Sequence, residues 1–455
     1  MRGAIDKYLA RYAEPESRLA SAIGERYQYA LVVPACDERS DLLEGYEAAA
    51  RAADGRVLVI LVVNGPPDAS ASTRACNQAL WSALRALPER ARLADGAHLL
   101  AASAFDVLAL DRFSDGRGVP SRQGVGLARR IGMDLALALW SKDRLACGVI
   151  GSTDADAALT AEYFPTIAAA SAEFAPAEIG ALLLPFSHVA GGDAAIDRAT
   201  LLYELTLRYY VLGLASAGSP YAYQSVGSTL AIDAASYALV RGFPRRAAGE
   251  DFYLLDKLGK VASLVRARAG RVLIRSRRSE RVPFGTGRRA HQIAEQGEPA
   301  LYHPDGFHAL AALLEGLDAF AVHGELARVV QNIRERVPRL ARAVEAQLSA
   351  IGLDTALSEA KSQSALGAPL RRRIHTWFDA LKTLRFIHAL RDAELPSLPM
   401  GEALSRAPFL AGVRLASSPD ELCRSLEALE LSAPRARGPA LLGQADPRAF
   451  THGSS

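Results

Sequence analysis

The chain has 455 residues, half of them hydrophobic, with 53 Lys and Arg against 50 Asp and Glu. That length exceeds what one compact core supports and implies a main domain with an appended one. The even charge balance argues against a nucleic-acid or membrane-surface protein, so any basic function has to be local. Cys36, Cys76, Cys147 and Cys423 lie too far apart for a zinc knuckle or a disulfide framework and read as thiols of a reducing cytosol. The longest apolar run, 57–63, is too short to cross a bilayer, and the N-terminus has no apolar signal core. A soluble, cytoplasmic protein is expected.

In chain order, an amphipathic helical segment over 5–13 and 19–23 precedes a strand at 29–33 that stops at Pro34. A β-branched strand at 57–63 closes on Asn64-Gly65-Pro66-Pro67, and a helix follows over 72–87. Strands are predicted at 98–102 and 105–110, a Gly/Ser loop at 114–124, a helix at 126–140 and a strand at 145–150. This alternation predicts a doubly wound, mostly parallel sheet. Further on come a strand at 179–185, a helix at 199–214, a Gly/Ser/Tyr loop at 216–227, a strand at 228–232 and a helix at 234–240. A helix opening at Glu250 or Asp251, whose acidic groups complement the helix dipole, runs to 258. Strands at 261–265 and 272–275 complete the unit. Beyond His303 apolar stripes at helical spacing predict helices at 309–317, 324–335, 338–351, 370–390 and 420–429. The tail from 432 is rich in Pro, Gly, Arg and Ser and is expected to be disordered.

Four short stretches carry chemistry. Asp154 and Asp156 follow directly on a buried strand; carboxylates one residue apart can share a face and suit a hard divalent cation, Mg²⁺ or Mn²⁺, completed by substrate phosphates. Paired carboxylates are often mere surface charge. Here the pair stands at a strand's carboxyl end, where open α/β sheets collect ligands. Nine arginines and one acid, Glu280, lie between Arg266 and Arg289, a local field in which Arg277, Arg278 and Arg281 can clamp phosphate. Aromatic residues are not interleaved through 266–281, which argues against nucleic acid. Glycines at 116, 118, 124 and 126 do not form a dinucleotide fingerprint after a first strand. Tyr203, Tyr209, Tyr210, Tyr221 and Tyr223 read as core or loop-packing residues ahead of ligand contacts, although Tyr221 and Tyr223 lie where an acceptor loop would be.

The order Val33-Pro34-Ala35-Cys36-Asp37-Glu38, Gly124 to Arg130, Asp154-Ala155-Asp156, Val226 to Phe243, Glu250-Asp251 and Arg278-Ser279-Glu280-Arg281 resembles the family 2 glycosyltransferases of GT-A fold over 29–289. The chain departs from the family pattern at Arg130, where an Asn is usual, and at Val282, where a Trp is usual. The resemblance implies an inverting, metal-dependent transferase of the hexosyltransferase class. It would use a nucleotide-diphosphate sugar, by default a UDP-sugar, and the missing Trp points to a small soluble acceptor. It implies a donor site of Pro34, Asp37, Glu38, Asn64, Arg129, Asp154, Arg278 and Arg281. The metal would be held by Asp154, Asp156 and His291, or less readily His303, with Asp251 as general base and Glu250 beside the acceptor. The domains follow as an N-terminal segment 1–28, a GT-A unit 29–303, a helical extension 304–431 that offers a homodimer surface, and a tail 432–455. Two other readings fit parts of the pattern, a sugar nucleotidyltransferase and a non-catalytic nucleotide-sugar-binding scaffold.

Overall fold

The computed structural model describes residues 2–278, 286–415, 418–432 and 439. Twelve strands build the sheet-bearing part: β1 (Tyr29–Ala35), β2 (Val57–Asn64), β3 (Glu89–Ala94), β4 (Ala97–Ala101), β5 (Asp106–Arg112), β6 (Val149–Ser152), β7 (Ala157–Leu159), β8 (Ile179–Leu183), β9 (Phe186–Val189), β10 (Leu230–Asp233), β11 (Ser263–Arg266) and β12 (Val272–Arg275). Nine of them form one sheet in the order β11-β8-β10-β6-β1-β2-β5-β4-β3, and a small second sheet runs β7-β12-β9.

The large sheet is parallel across β6-β1-β2-β5 and again between β8 and β11. It is antiparallel at β10, β4 and β3, so it is more mixed than the sequence pattern predicted. Its centre is apolar on both faces, as a sheet covered on both sides requires. Leu58, Ile60 and Val62 of β2 enter one core, with helix Gly124–Ser141 and the N-terminal segment; Val57, Val59, Leu61 and Val63 enter the other, with helices Glu44–Ala52 and Tyr163–Glu173. Each such fully buried aliphatic side chain contributes roughly 1.5–3 kcal/mol.

Several elements differ from the predicted ones for identifiable reasons. β3 (ERARLA) is a largely exposed edge whose alternation is confined to Ala91 and Leu93, and β7 and β9 are too short to leave a pattern. The predicted strand at 145–150 narrows to β6, with Leu145 making an isolated bridge to Tyr27. The helix predicted over 370–390 is two, because Asp379 caps a new one by accepting from the Lys382 N–H.

From Thr286 the described chain is almost wholly helical, including Pro304–His323, Leu326–Arg336, Ala341–Ala350 and Pro419–Ser432. These helices share a third core with helix Ala194–Ser216, which contributes Leu202, Leu205, Tyr209 and Leu212. Among the described residues no helix is long and apolar enough to cross a membrane.

Candidate functional site

The strand order turns back at β1, which has β2 on one side and β6 on the other. Such a switch point opens a crevice at the carboxyl ends of the strands. The β1–β6 ladder closes with the Thr153 N–H donating to the Val32 carbonyl, just before Pro34, which has no N–H to give. The two strands part there. β1 runs on into Asp37 and Glu38, and β6 into Asp154 and Asp156.

Around the crevice, β1 and β2 present a hydrogen-bonded rim. Asp37 sits in the left-handed region at φ 58°, and its N–H donates to Asn77 Oδ1 at 2.8 Å, while the Asn77 amide donates to the Asn64 carbonyl at 3.0 Å. The Asn64 side chain is buried against the Ala35 and Val62 carbonyls. Pro34, Asp37, Glu38 and Asn64 are therefore gathered at one edge, with Asn64 and Pro34 held in the frame.

Arg129 is the centre of the site. It is only 2% exposed, and its guanidinium donates to Glu250 Oε1 at 3.0 Å, Ser152 Oγ at 2.9 Å, the Thr153 carbonyl at 3.3 Å and Asp154 Oδ1 at 2.5 Å. One side chain thus joins the end of β6 to the start of helix Glu250–Val261. The register depends on two glycines. A Cβ on Gly126 would come within 2.6 Å of the Pro244 and Arg246 carbonyls, so only glycine lets helix Gly124–Ser141 lie against that loop. Gly249, at φ 70°, supplies the left-handed turn that starts the helix at Glu250.

Glu250 is buried; desolvation raises its pKa and the Arg129 charge opposes the rise. Asp251 is half-buried, its pKa pushed up to about 7, first by desolvation and then by the Glu250 charge. Gly227, on the turn before β10, leaves the space over this pair: a Cβ there would lie 2.7 Å from Arg129 Nη2 and 3.5 Å from Asp251 Oδ2.

Asp154 is 39% exposed in its side chain, and Asp156 is covered by Arg277 at 2.6 Å. Arg277 also grips Glu38 through both terminal nitrogens, at 3.0 and 2.7 Å. Arg278, expected beside it on the phosphate, instead pairs with Asp193 at 3.3 Å, because successive residues leaving β12 point to opposite sides. Arg281 lies outside the described residues. His291 stands on helix Thr286–Gln296 and contacts Glu295 at 3.4 Å. Among the described residues no three metal-ligating side chains are grouped, so His291 is not brought together with Asp154 and Asp156. His303 caps helix Pro304–His323 through the Asp305 N–H.

Asp154 and Asp156 nevertheless suit a hard cation that takes one or two protein carboxylates and fills its remaining positions with phosphate oxygens and water. Of the pair, Asp154 keeps the greater side-chain exposure, 39% against 17% for Asp156, and so offers a cation the more accessible oxygen.

Tyr221 and Tyr223 are buried in the core beneath the large sheet, with Tyr221 donating to the His375 carbonyl at 2.7 Å, which fits packing and not the contacts of an acceptor loop. Tyr203, read as packing only, feels the Asp251 charge, which adds to burial in raising its hydroxyl pKa. Tyr46, buried, donates to the Asp154 carbonyl at 3.2 Å; no motif marks it. Arg130, at the position where an Asn was expected, donates to the Arg241, Phe243 and Tyr12 carbonyls and pairs with Glu14. It pins the N-terminal segment, helped by Asp134, which accepts from Tyr8 and Tyr237.

No protein-family model matches the chain, and no curated protein does. Among solved structures it is similar to PcManGT, a mannosyltransferase from Pyrobaculum calidifontis in complex with GDP-Man and Mn²⁺. The two are 14% identical, the match covers 95% of this chain and 94% of that one, and the TM-score is 0.32. A likeness that slight assigns nothing, and the functional reading rests on the residues.

Proposed function

We propose that the chain is a metal-dependent, inverting glycosyltransferase of GT-A type that moves a sugar from a nucleoside diphosphate, a UDP-sugar by default, to a small soluble acceptor. The observation that carries this reading is Arg129, which ties the carboxylate pair after β6 to the Glu250-Asp251 helix start. Two functions that must act on one bond are thereby held at one crevice. Asp154 and Asp156 would hold a divalent cation, which when bound neutralises charge on the departing diphosphate. Asp251 takes the proton from the attacking acceptor hydroxyl, and its pKa near 7 suits a base at neutral pH. Glu250 is held by Arg129 and fixes the Asp251 turn. Pro34, Asp37, Glu38 and Asn64 form the nucleoside end, and Arg277, with Arg281, the phosphate clamp. The unit 29–303 carries the chemistry and 304–431 supports it.

Calorimetric titration of UDP, GDP and their sugar conjugates, with and without Mn²⁺, into the wild type and Asp156→Ala tests the reading. Metal-dependent binding of one nucleotide that the substitution abolishes is the expected result. Absence of binding by all of them overturns the proposal.

A further inference from the structure

Arg277 has a position that no phosphate clamp requires in the absence of ligand. Its Nη2 lies 2.7 Å from Glu38 Oε1 and 2.6 Å from Asp156 Oδ2, while Nη1 lies 3.0 Å from Glu38 Oε2. One guanidinium bridges two carboxylates from the segments that follow β1 and β6. The bridge is built into the small sheet: Ile274 pairs with Ala157, and the Arg275 N–H donates to the Asp156 carbonyl at 3.2 Å, so Arg277 emerges beside Asp156.

The two arginines of the site differ in how they are held. Arg129 is buried and fixed by a hydroxyl, a carbonyl and two carboxylates, and its partner Asp154 stays open to solvent. Arg277 is 27% exposed, and its described hydrogen bonds all go to carboxylates, bonds a competing cation or phosphate can replace. A guanidinium and a divalent cation on the same carboxylate repel each other strongly at contact distance.

We infer that Arg277 is a built-in counter-ion that holds Asp156 in the ligand-free chain and swings to the nucleotide diphosphate when Asp156 turns to its cation, with Glu38 as its tether. The inference rests on the reading of the site given above. Arg277 then opposes the cation when it comes alone and favours it when it comes with a diphosphate, whose oxygens match the planar fork of donors. Cation and nucleotide are coupled through this one side chain. Couplings of this kind typically span roughly 5- to 150-fold in affinity.

The test is titration of Mn²⁺, followed by the electron paramagnetic resonance of the free ion, into the full chain alone and with GDP or UDP. Wild type, Arg277→Ala, Arg277→Lys and, as a control, Arg278→Ala are compared, with circular dichroism to verify the fold. Arg277→Ala is expected to bind Mn²⁺ alone about tenfold more tightly and the nucleotide about tenfold more weakly, a change of opposite sign at the two ligands. Arg277→Lys keeps the charge and should resemble wild type toward Mn²⁺ alone while losing nucleotide affinity. Unchanged or weakened Mn²⁺ binding in folded Arg277→Ala overturns the inference and leaves the transferase reading standing. A wild-type chain that binds Mn²⁺ neither alone nor with nucleotide overturns both.

Discussion

Two arginines, each 2% exposed and each set among carboxylates, stand in different parts of the molecule. Arg129 holds Asp154 and Glu250 at the crevice. Arg208, on helix Ala194–Ser216, holds Glu204 at 2.7 Å, Glu430 at 3.4 Å and Glu427 at 3.6 Å beneath the C-terminal helix Pro419–Ser432. The second cluster is densely bonded: the His188 Nδ1–H donates to Glu204 at 2.7 Å, Gln224 donates to Glu430, Arg271 to Glu427, and Arg266 to the Glu430 carbonyl. Arg208, Glu427 and Glu430 line a cavity of about 30 Å³, room for a water or so. The two clusters do different work: Asp154 keeps 39% side-chain exposure, whereas Glu204, Glu427 and Glu430 are 2%, 10% and 6% exposed and all paired with Arg208. The first leaves a carboxylate accessible; the second fastens helix Pro419–Ser432 to helix Ala194–Ser216.

Substituting the two arginines breaks that comparison most forcefully. Arg129→Met and Arg208→Met each strand buried carboxylates, and each should cost about 3–5 kcal/mol in urea unfolding. At a temperature where both are folded, Arg208→Met should keep nucleotide affinity and Arg129→Met should lose it. Loss of nucleotide binding in folded Arg208→Met would erase the distinction between the clusters.

A second prediction sharpens it through protons. Asp251→Asn should lower single-turnover release of nucleoside diphosphate about 10²- to 10⁴-fold with nucleotide binding retained, whereas Glu430→Gln should leave turnover unchanged. Both carboxyls have pKa values raised to about 7, Asp251 by desolvation and the Glu250 charge, Glu430 by desolvation that Arg208 only partly offsets. Between the unfolded values near 4 and the folded values near 7, the native chain binds more protons than the unfolded one, so stability falls as pH rises through this window. Turnover moves the opposite way, since the base works ionised: it should climb with pH to a plateau above about 7. Glu430→Gln should flatten the stability curve without moving the rate profile, a split visible in paired melting and rate measurements. The smallest effect is expected at Arg278. Its pair with Asp193 is exposed, and Arg278→Ala should alter stability by under about 0.5 kcal/mol, read by thermal melting.

Much of the sheet and of the crevice was legible in the sequence because both are written locally. The apolar runs of β1 and β2, and the Asp pair directly after β6, identify themselves by order and spacing. Glu250-Asp251 was legible as a helix start, but the Arg129 bridge that joins it to Asp154 spans residues 121 and 25 positions apart, and no local pattern encodes it. The same holds for Tyr46, Tyr203 and Gly227, ordinary residues made notable only by what folds against them. The arginine run illustrates the converse. Its composition led to an expectation of phosphate contacts shared by Arg277 and Arg278, yet the pairing of β12 with β7 brings Arg277 to Asp156 while Arg278 pairs with Asp193. Arg130 shows that a departure from a familiar motif can be a fastening for another segment, here the N-terminus.

Helix Ala194–Ser216 faces two ways, polar toward the small sheet and apolar toward the helical core. Glu204 and Arg208 brace β9, while Leu202, Leu205, Tyr209 and Leu212 lie among the C-terminal helices. Cutting the chain after residue 303 would therefore strip one side of this helix of its cover. The shortened product would expose a greasy flank and aggregate, and helix Glu250–Val261 would lose its contacts with Asp379 and Ala380, so the crevice is expected to form only together with those helices.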